Sequence, residues 1–510
     1  RQRQMCIRDR KRQVKNHIRW SGNNEISLQE AQMRTFSNFA WMFLRTEGDY
    51  NFSSGSRGRG NLSSTANPYF LFPQIYNFRY NIYSSEWPVA NRAIELYLQK
   101  KSENEGWERQ INGLSNNEKA NLLLEKHTFK ELLADVEQRN LQNNIVGLEA
   151  SRLFARSEIN MGVDAFRDSL YAMLKRNTFL NIKFENMLDT LGEMSRTDLY
   201  SYLKEWEQLT PLPFYSIGEP ELTKVVNKGG EEFFVLKVLV SNNSDYDGII
   251  QMNVLQNGWW YQPMEDPRAR KKVEIAAHTS KEFVSVWEEQ IRDVEINTMV
   301  SGNLPYMIRQ SIGNVKQERN KIVKDTIYTL PESSLEMPGE VIVDNEDSTL
   351  FVLSTPAVVG LLPKWLDKVE DTSFKYSGIS WWRAPLQWTA TTNAKYYGKY
   401  IRSAYVIKSG DGSQTATWKI PVPEAGQYEL YYHVFKDDEL RWNDRLQGEY
   451  HFRVAYDSEM EDAYINLRKA NEGWEQLGTY YFSADTVRVV LTDECKLRSV
   501  TADAVKIVKR

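Results

Sequence analysis

The last fifth of the chain constrains the fold most. Three runs there alternate polar and apolar side chains: Thr417–Val422, Tyr428–Val434 and Tyr450–Ala455. Side chains along a strand point to opposite faces in turn, so such runs build one apolar and one polar face. Between the first two lies Pro423-Glu424-Ala425-Gly426, a turn in which proline presets φ and glycine permits φ > 0. Gly473–Phe482, Val487–Leu491 and Ala502–Val508 follow. Short strands at this spacing, separated by turn residues, predict an all-β sandwich.

Three of these segments, Val422–Val434, Gly473–Phe482 and Ala502–Val508, resemble the golvesin / xanthan-lyase C-terminal module. The resemblance covers Trp381 to Arg510. It implies a β-sandwich appended to secreted and surface enzymes of bacteria, carbohydrate-binding-like in role. Aromatic side chains dominate sandwich interiors, so most aromatics here are core. Those outside the regular alternation are the candidates for stacking on a sugar ring: Trp382, Trp388, Tyr397, Trp442 and Trp474. Arg383, Arg402 and Asp444 are near them in sequence and suited to bonding hydroxyls.

A chain of 510 residues holds three or four domains. Its net charge of −4, with no long basic block, gives no sign of a nucleic-acid partner. Cys6 and Cys495 are its only cysteines and cannot make a disulfide framework. The longest apolar candidate, Leu350–Leu362, is interrupted by Ser354, Thr355, Pro356 and Gly360, too broken for a membrane helix. The chain does not start with Met, and its charged start, Arg1–Arg10, predicts a fragment, with any export signal or anchor upstream.

Residues 11–46 predict a helix through Phe36, Phe39, Ala40 and Phe43, and Gly48–Ser64 a polar loop. Asn67–Tyr83 reads as a strand or as a helix broken at Pro73. Helices are expected from Trp87-Pro88 to Lys101, over Ser115–Arg139, over Val146–Asn160 until Gly162 breaks it, and around Phe166–Leu174. Thr178–Ile182 reads as a link. Phe184–Leu191 forms the next helix. Ser195–Asp198 has the form of a capping box opening a helix that ends before Thr210-Pro211-Leu212-Pro213. Strands follow over Phe233–Val240, Ile249–Leu255, Val273–Ala277 and Glu282–Trp287.

Gly162, Phe166 and Leu170, Phe179-Leu180-Asn181, Glu185 and Leu188, Ser195, Asp198-Leu199 and Trp206 together resemble the end of the helical domain in zinc aminopeptidases of the aminopeptidase N type. The gap from Glu185 to Leu188 is shorter than that family's. The family's chemistry uses two histidines one helical turn apart, which hold Zn²⁺ on one face, and a glutamate that activates the bound water. The five histidines are His17, His127, His278, His433 and His451; no two are four apart and none precedes Glu. The segment matching the third ligand, Asn91–Leu98, carries Arg92 at the ligand position, and a guanidinium cannot bind Zn²⁺. The resemblance therefore implies a pseudo-enzyme.

Asp344, Glu346 and Asp347 are weak calcium candidates: they cluster oxygen ligands without the order of an EF-hand. The charged run Asp437–Asp444 reads as a solvated loop, not a paired-carboxylate site.

The sequence thus predicts a multidomain α+β chain. Residues 1–64 are a ragged helix and loop, 65–215 an N-terminal all-α, aminopeptidase-like domain, 216–330 an Ig-like β domain, 331–375 a connecting segment and 376–510 a C-terminal β-sandwich. The expected function is a non-catalytic extracytoplasmic bacterial protein that binds polysaccharide or cell-surface glycan. No catalytic residue, metal or cofactor is expected, no nucleic acid, and membrane contact only through an upstream anchor. Two alternatives remain open: a zinc metallopeptidase whose metal half lies upstream, and a purely structural surface scaffold.

Overall fold

The computed structural model describes residues 28–29, 32–33, 80–98, 105–177, 180–226, 229–255, 266–313, 315–319, 323–333, 335, 339–354, 374–379, 384–436, 448–457 and 459–510. Residues 28–29 and 32–33 are helical and exposed. The rest of the expected helix over 11–46, the polar loop 48–64 and the charged run 437–444 lie outside the described residues.

The chain divides into two compact units, one of residues 1–102 with 164–194, the other of 103–163 with 195–510. In the first, Tyr80–Tyr83 pairs in parallel with Leu180–Lys183, residue for residue. The segment read as a link is therefore partly a strand, and this part is mixed α and β instead of all-α. A parallel pair needs a long crossover between its strands. Helix Ala90–Leu98 is buried along its length and starts three residues later than the expected Trp87; residues 99–101 of the expected helix lie outside the described residues. Asn91 Oδ1 accepts from the Ile82 amide at 3.1 Å, and Arg167 donates to the Tyr97 carbonyl at 3.0 Å. Phe166, Leu170 and Leu174 from helix Val163–Arg176 are buried, as are Phe184, Met187, Leu188 and Leu191 from helix Phe184–Ser195.

The second unit opens with helices. The single helix expected over Ser115–Arg139 is instead Asn116–Leu124, Phe129–Ala134 and a short 3-10 turn. Each of the two helices starts at its own capping box, Ser115 with Glu118 and Thr128 with Glu131, so the second box starts a separate helix. Helix Gln142–Met161 stops at Gly162, at φ 90. Ser195 does not open the next helix. Arg196 sits at φ 54, which breaks the path, and Asp198 is the N-cap, its side chain accepting from the Ser201 amide.

Two packed sheets follow. One runs Val315–Arg319, Glu221–Val226, Glu232–Asn242, Thr279–Trp287, Thr326–Pro331, with Tyr215–Ile217 also on Glu232–Asn242. The other runs Met307–Ser311, Asp293–Asn297, Gly248–Leu255, Arg270–Ile275. Leu236, Val238, Phe283 and Trp287 from the first meet Ile250, Met252, Val294 and Ile296 from the second in one core. Helix Gln142–Met161 is tied to the second sheet by Arg156 to Glu274 at 2.8 Å and by a buried Lys272–Glu158 ion pair.

The C-terminal part is also sandwiched. One sheet has the order Glu340–Val343, Val505–Lys509, Gly426–Val434, Gly473–Phe482; the other has Phe351–Leu353, Thr415–Pro421, Thr486–Thr492, Glu449–Tyr456, Glu459–Asn466. A three-stranded sheet of Thr389–Thr392, Ser403–Lys408 and Ser499–Ala502 completes it. Trp418, Leu430, Tyr432, Phe452, Val489 and Ile507 are buried in the shared core. Glu340–Val343 and Phe351–Leu353 come from the segment read as a connection, yet both are integral strands. The molecule is thus mostly β-sandwich with a smaller helical part.

Candidate functional site

Alternation in Gly426–Val434 decides which side chains leave the core. Tyr428, Leu430, Tyr432 and Val434 are buried, so Tyr431 and His433 point to the outer face of their sheet. On the flanking strands His433 is opposite Trp474 and Tyr431 is opposite Lys506. Residues paired across strands share a face, so one outer surface carries Tyr431, His433, Trp474 and Lys506.

The loop 393–400 brings Tyr397 onto this surface. Its backbone amide donates to both oxygens of Asp503 at 3.2 Å. The Tyr397 and Trp474 ring centroids are 5.0 Å apart at 59°. The His433 imidazole lies 5.1 Å from Trp474 and 5.8 Å from Tyr397. The two aromatic rings, inclined to each other, and the imidazole packed beside both form a shallow apolar notch, partly open to solvent. Beneath it, Asp503 is fully buried and its Oδ2 is 2.9 Å from His433 Nδ1. Burial pushes the Asp503 carboxyl up from its ordinary range, opposed by the His433 charge and hydrogen bond. This contact fixes the imidazole's orientation, in the way that buried carboxylates hold histidine ring nitrogens. Lys506 lies over Trp474 at 4.9 Å and over Tyr431 at 5.4 Å, and pairs with Glu340 at 2.8 Å. Its stem and charge brace the indole from one side.

Of the five aromatics singled out from sequence, the structure brings two together, Tyr397 and Trp474. Trp388 is elsewhere, packed half-buried against the sandwich core with its indole nitrogen buried and unpartnered. Trp382 and Trp442 lie outside the described residues, as do Arg383 and Asp444. Arg402 is turned inward: its Nη1 donates to the Ala394 carbonyl at 2.8 Å, and burial lowers its pKa. The site residues that sequence reasoning missed are His433 and Asp503. The alternation of Tyr428–Val434 put His433 on the outer face, and that signal was sufficient to find it. Nothing in the sequence pairs it with Asp503, which is 70 positions away.

The acidic turn is occupied by protein donors. Asp347 Oδ2 accepts from the Asp344 amide at 2.9 Å. Glu346 accepts from Ser403 and Tyr376 through one oxygen and pairs with Lys375 through the other at 2.5 Å. Burial, and next the charge of Asp503, hold Asp344 well above the usual carboxylate range, which disfavours the ionised form a cation needs. Among the described residues no group of three His, Cys, Asp or Glu side chains is placed to hold a metal ion. In the segment matched to a zinc ligand, Arg92 pairs with Glu95 at 3.0 Å. Among the described residues no helix is long and apolar enough to cross a membrane.

No curated protein matches the chain. Among solved structures, a CBM35 from Cellvibrio japonicus Abf62 is 12% identical, with 26% of this chain and 90% of that one covered and a TM-score of 0.17. A Bacteroides uniformis beta-glucuronidase is 9% identical, with 62% of this chain covered and a TM-score of 0.18; the chain spans 32% of that enzyme's length. Both scores are too low to carry an argument about fold or function. The sequence comparison is more definite: residues 382–509 match the Golvesin C-terminal domain family, over the stretch that carries Tyr397, His433, Trp474 and Asp503.

Proposed function

We propose that this chain is a non-catalytic, extracytoplasmic protein whose C-terminal sandwich binds glycan in the notch formed by Tyr397, His433 and Trp474. The carrying observation is the joint placement of the two rings and an imidazole held by a buried Asp503. Inclined rings offer apolar contact to the C–H face of a sugar, and the imidazole offers a directed hydrogen bond to a hydroxyl. Such contacts supply binding without any group that would make or break a bond. The match to the Golvesin C-terminal domain and the resemblance drawn from the sequence support a carbohydrate-binding-like role and an extracytoplasmic setting. The helical part is read as a degenerate aminopeptidase scaffold, consistent with Arg92 being engaged by Glu95.

The test is thermal unfolding of the full chain against soluble xylan, galactomannan, mixed-linkage β-glucan, pectin and xanthan. At least one should raise the melting temperature. Trp474→Ala should weaken binding of that polysaccharide by about fivefold or more, since loss of a stacked aromatic costs on the order of 1–3 kcal/mol. No shift with any polysaccharide, or full binding by Trp474→Ala, overturns the assignment.

A further inference from the structure

The opposite face of the same sandwich carries a second, separate aromatic platform. In Glu449–Tyr456, Tyr450, Phe452 and Val454 are buried in the core, so His451 and Arg453 point outward from the second sheet. The strand Glu459–Asn466 pairs with it, His451 against Tyr464 and Arg453 against Asp462. Tyr464 is 59% exposed, and its ring lies parallel to the His451 imidazole, 9° between planes and 4.9 Å between centroids.

His451 is a built support. It is buried, its Nε2 is 2.8 Å from Asp462 Oδ1, and its Nδ1 is 3.3 Å from Glu494 Oε2. An imidazole clamped at both nitrogens cannot rotate, so the tyrosine stacked on it is held flat. The remaining face of that ring meets solvent. Asp462 and Glu494 are both more than half exposed beside it, and Met460, 65% exposed, lies on the same face beyond Asp462. A flat ring flanked by hydrogen-bond acceptors suits the C–H face and hydroxyls of a neutral sugar. Arg453 lies 4.0 Å from Asp462 and offsets that carboxylate, but Glu494 is left beside the ring and disfavours an anionic sugar.

We infer that the sandwich binds a neutral polysaccharide through two opposed outer faces, the Tyr397–Trp474 notch and the Tyr464 platform, and so bridges two polymer strands. This rests on the glycan-binding reading above for its first face only. Both sheets turn their inner faces to one core, and the two platforms leave in opposite directions. One strand cannot lie on both at once without wrapping the sandwich, so bivalency here joins strands instead of tightening the hold on one.

The experiment titrates the full chain with a hexasaccharide of whichever neutral polymer shifts its melting temperature, xylan, galactomannan or β-glucan, and follows light scattering with the polymer itself. The expected stoichiometry is two hexasaccharides per chain, with scattering that rises as strands are joined. Tyr464→Ala should leave one site and abolish the scattering, while Tyr464→Phe, which keeps the ring, should restore both. Trp474→Ala should also leave one site. A stoichiometry of one that Trp474→Ala removes and Tyr464→Ala leaves untouched overturns the second face and spares the first. The reverse pattern keeps the Tyr464 platform and overturns the notch. No binding of any of the three polymers overturns both.

Discussion

A histidine with both ring nitrogens engaged is a local pH sensor, and His278 is an exposed example. Its Nδ1 is 2.8 Å from Glu332 and its Nε2 2.8 Å from Asp245, which ties the turn at 276–279 to the end of strand Thr326–Pro331 and to the loop 243–247. Asn243 donates to the same Glu332, and the Lys399 charge also acts on it. Asp245 first, then Glu332, raise the His278 pKa above its ordinary 6.5, while Asn243 and then His278 hold Glu332 below its ordinary 4.5. A raised histidine pKa contributes stability that is fully present below the unfolded value and lost as pH rises through the folded one. The depressed glutamate contributes above its unfolded pKa and loses that contribution as pH falls through the folded one. The latch is therefore strongest between the carboxylate range and 6.5. The melting temperature should decline as pH is taken upward past 6.5 through the raised folded value, His278→Ala should flatten that part of the profile, and high salt should shrink the difference because the group is exposed.

At the scale of single elements, the junction between helix Glu105–Asn112 and the C-terminal part depends on two glycines in backbone contact. Gly113 has φ +78, and a Cβ there would come 2.3 Å from the Ser377 carbonyl carbon; at Gly378 it would come 1.8 Å from the Ile111 oxygen. Thr392 Oγ1 closes the contact by donating to the Gly113 carbonyl at 2.8 Å. Gly113→Ala should lower the denaturant-unfolding free energy by at least about 2 kcal/mol, strain and collision together. Gly230→Ala serves as the control: it has φ +83 but nothing within 4 Å, so it should show the smaller cost of strain alone. This contact is invisible in the sequence, where the two glycines lie 265 positions apart. What was legible follows from period: Tyr428–Val434 and Tyr450–Ala455 alternate, and both are strands whose inward residues fill the core. What was not legible lacked period or lay far away. The Glu340–Val343 strand is too short to show alternation. The Thr128–Glu131 box was written in the chain but was overridden by the leucines around it. Tyr80–Tyr83 finds its partner a hundred positions on, which no local pattern announces. The same limit explains the site: the rings of Tyr397 and Trp474 could be nominated, but their meeting over Asp503 is set by strand register.

For the molecule as a whole, the boundary of the matched family and the boundary of the folded sandwich differ. The match begins at 382, but Glu340–Val343 and Phe351–Leu353 cover the flanks of Val505–Lys509 and Thr415–Pro421. Without them those two become open sheet edges, the usual starting point for intermolecular pairing, and the buried Val343 and Phe351 leave the core. Each buried side chain of that size is worth about 1.5–3 kcal/mol. A chain of residues 382–510 should therefore aggregate, or melt lower than residues 339–510 by about 10 °C or more, with light scattering and thermal unfolding as the readouts.

Val505–Lys509 stands in the interior of its sheet, between Glu340–Val343 and Gly426–Val434. Without it those two neighbours have an empty lane between them. A protease that removes this segment would thus yield a product lacking an inner rung of its sheet, with Ile507 gone from the shared core.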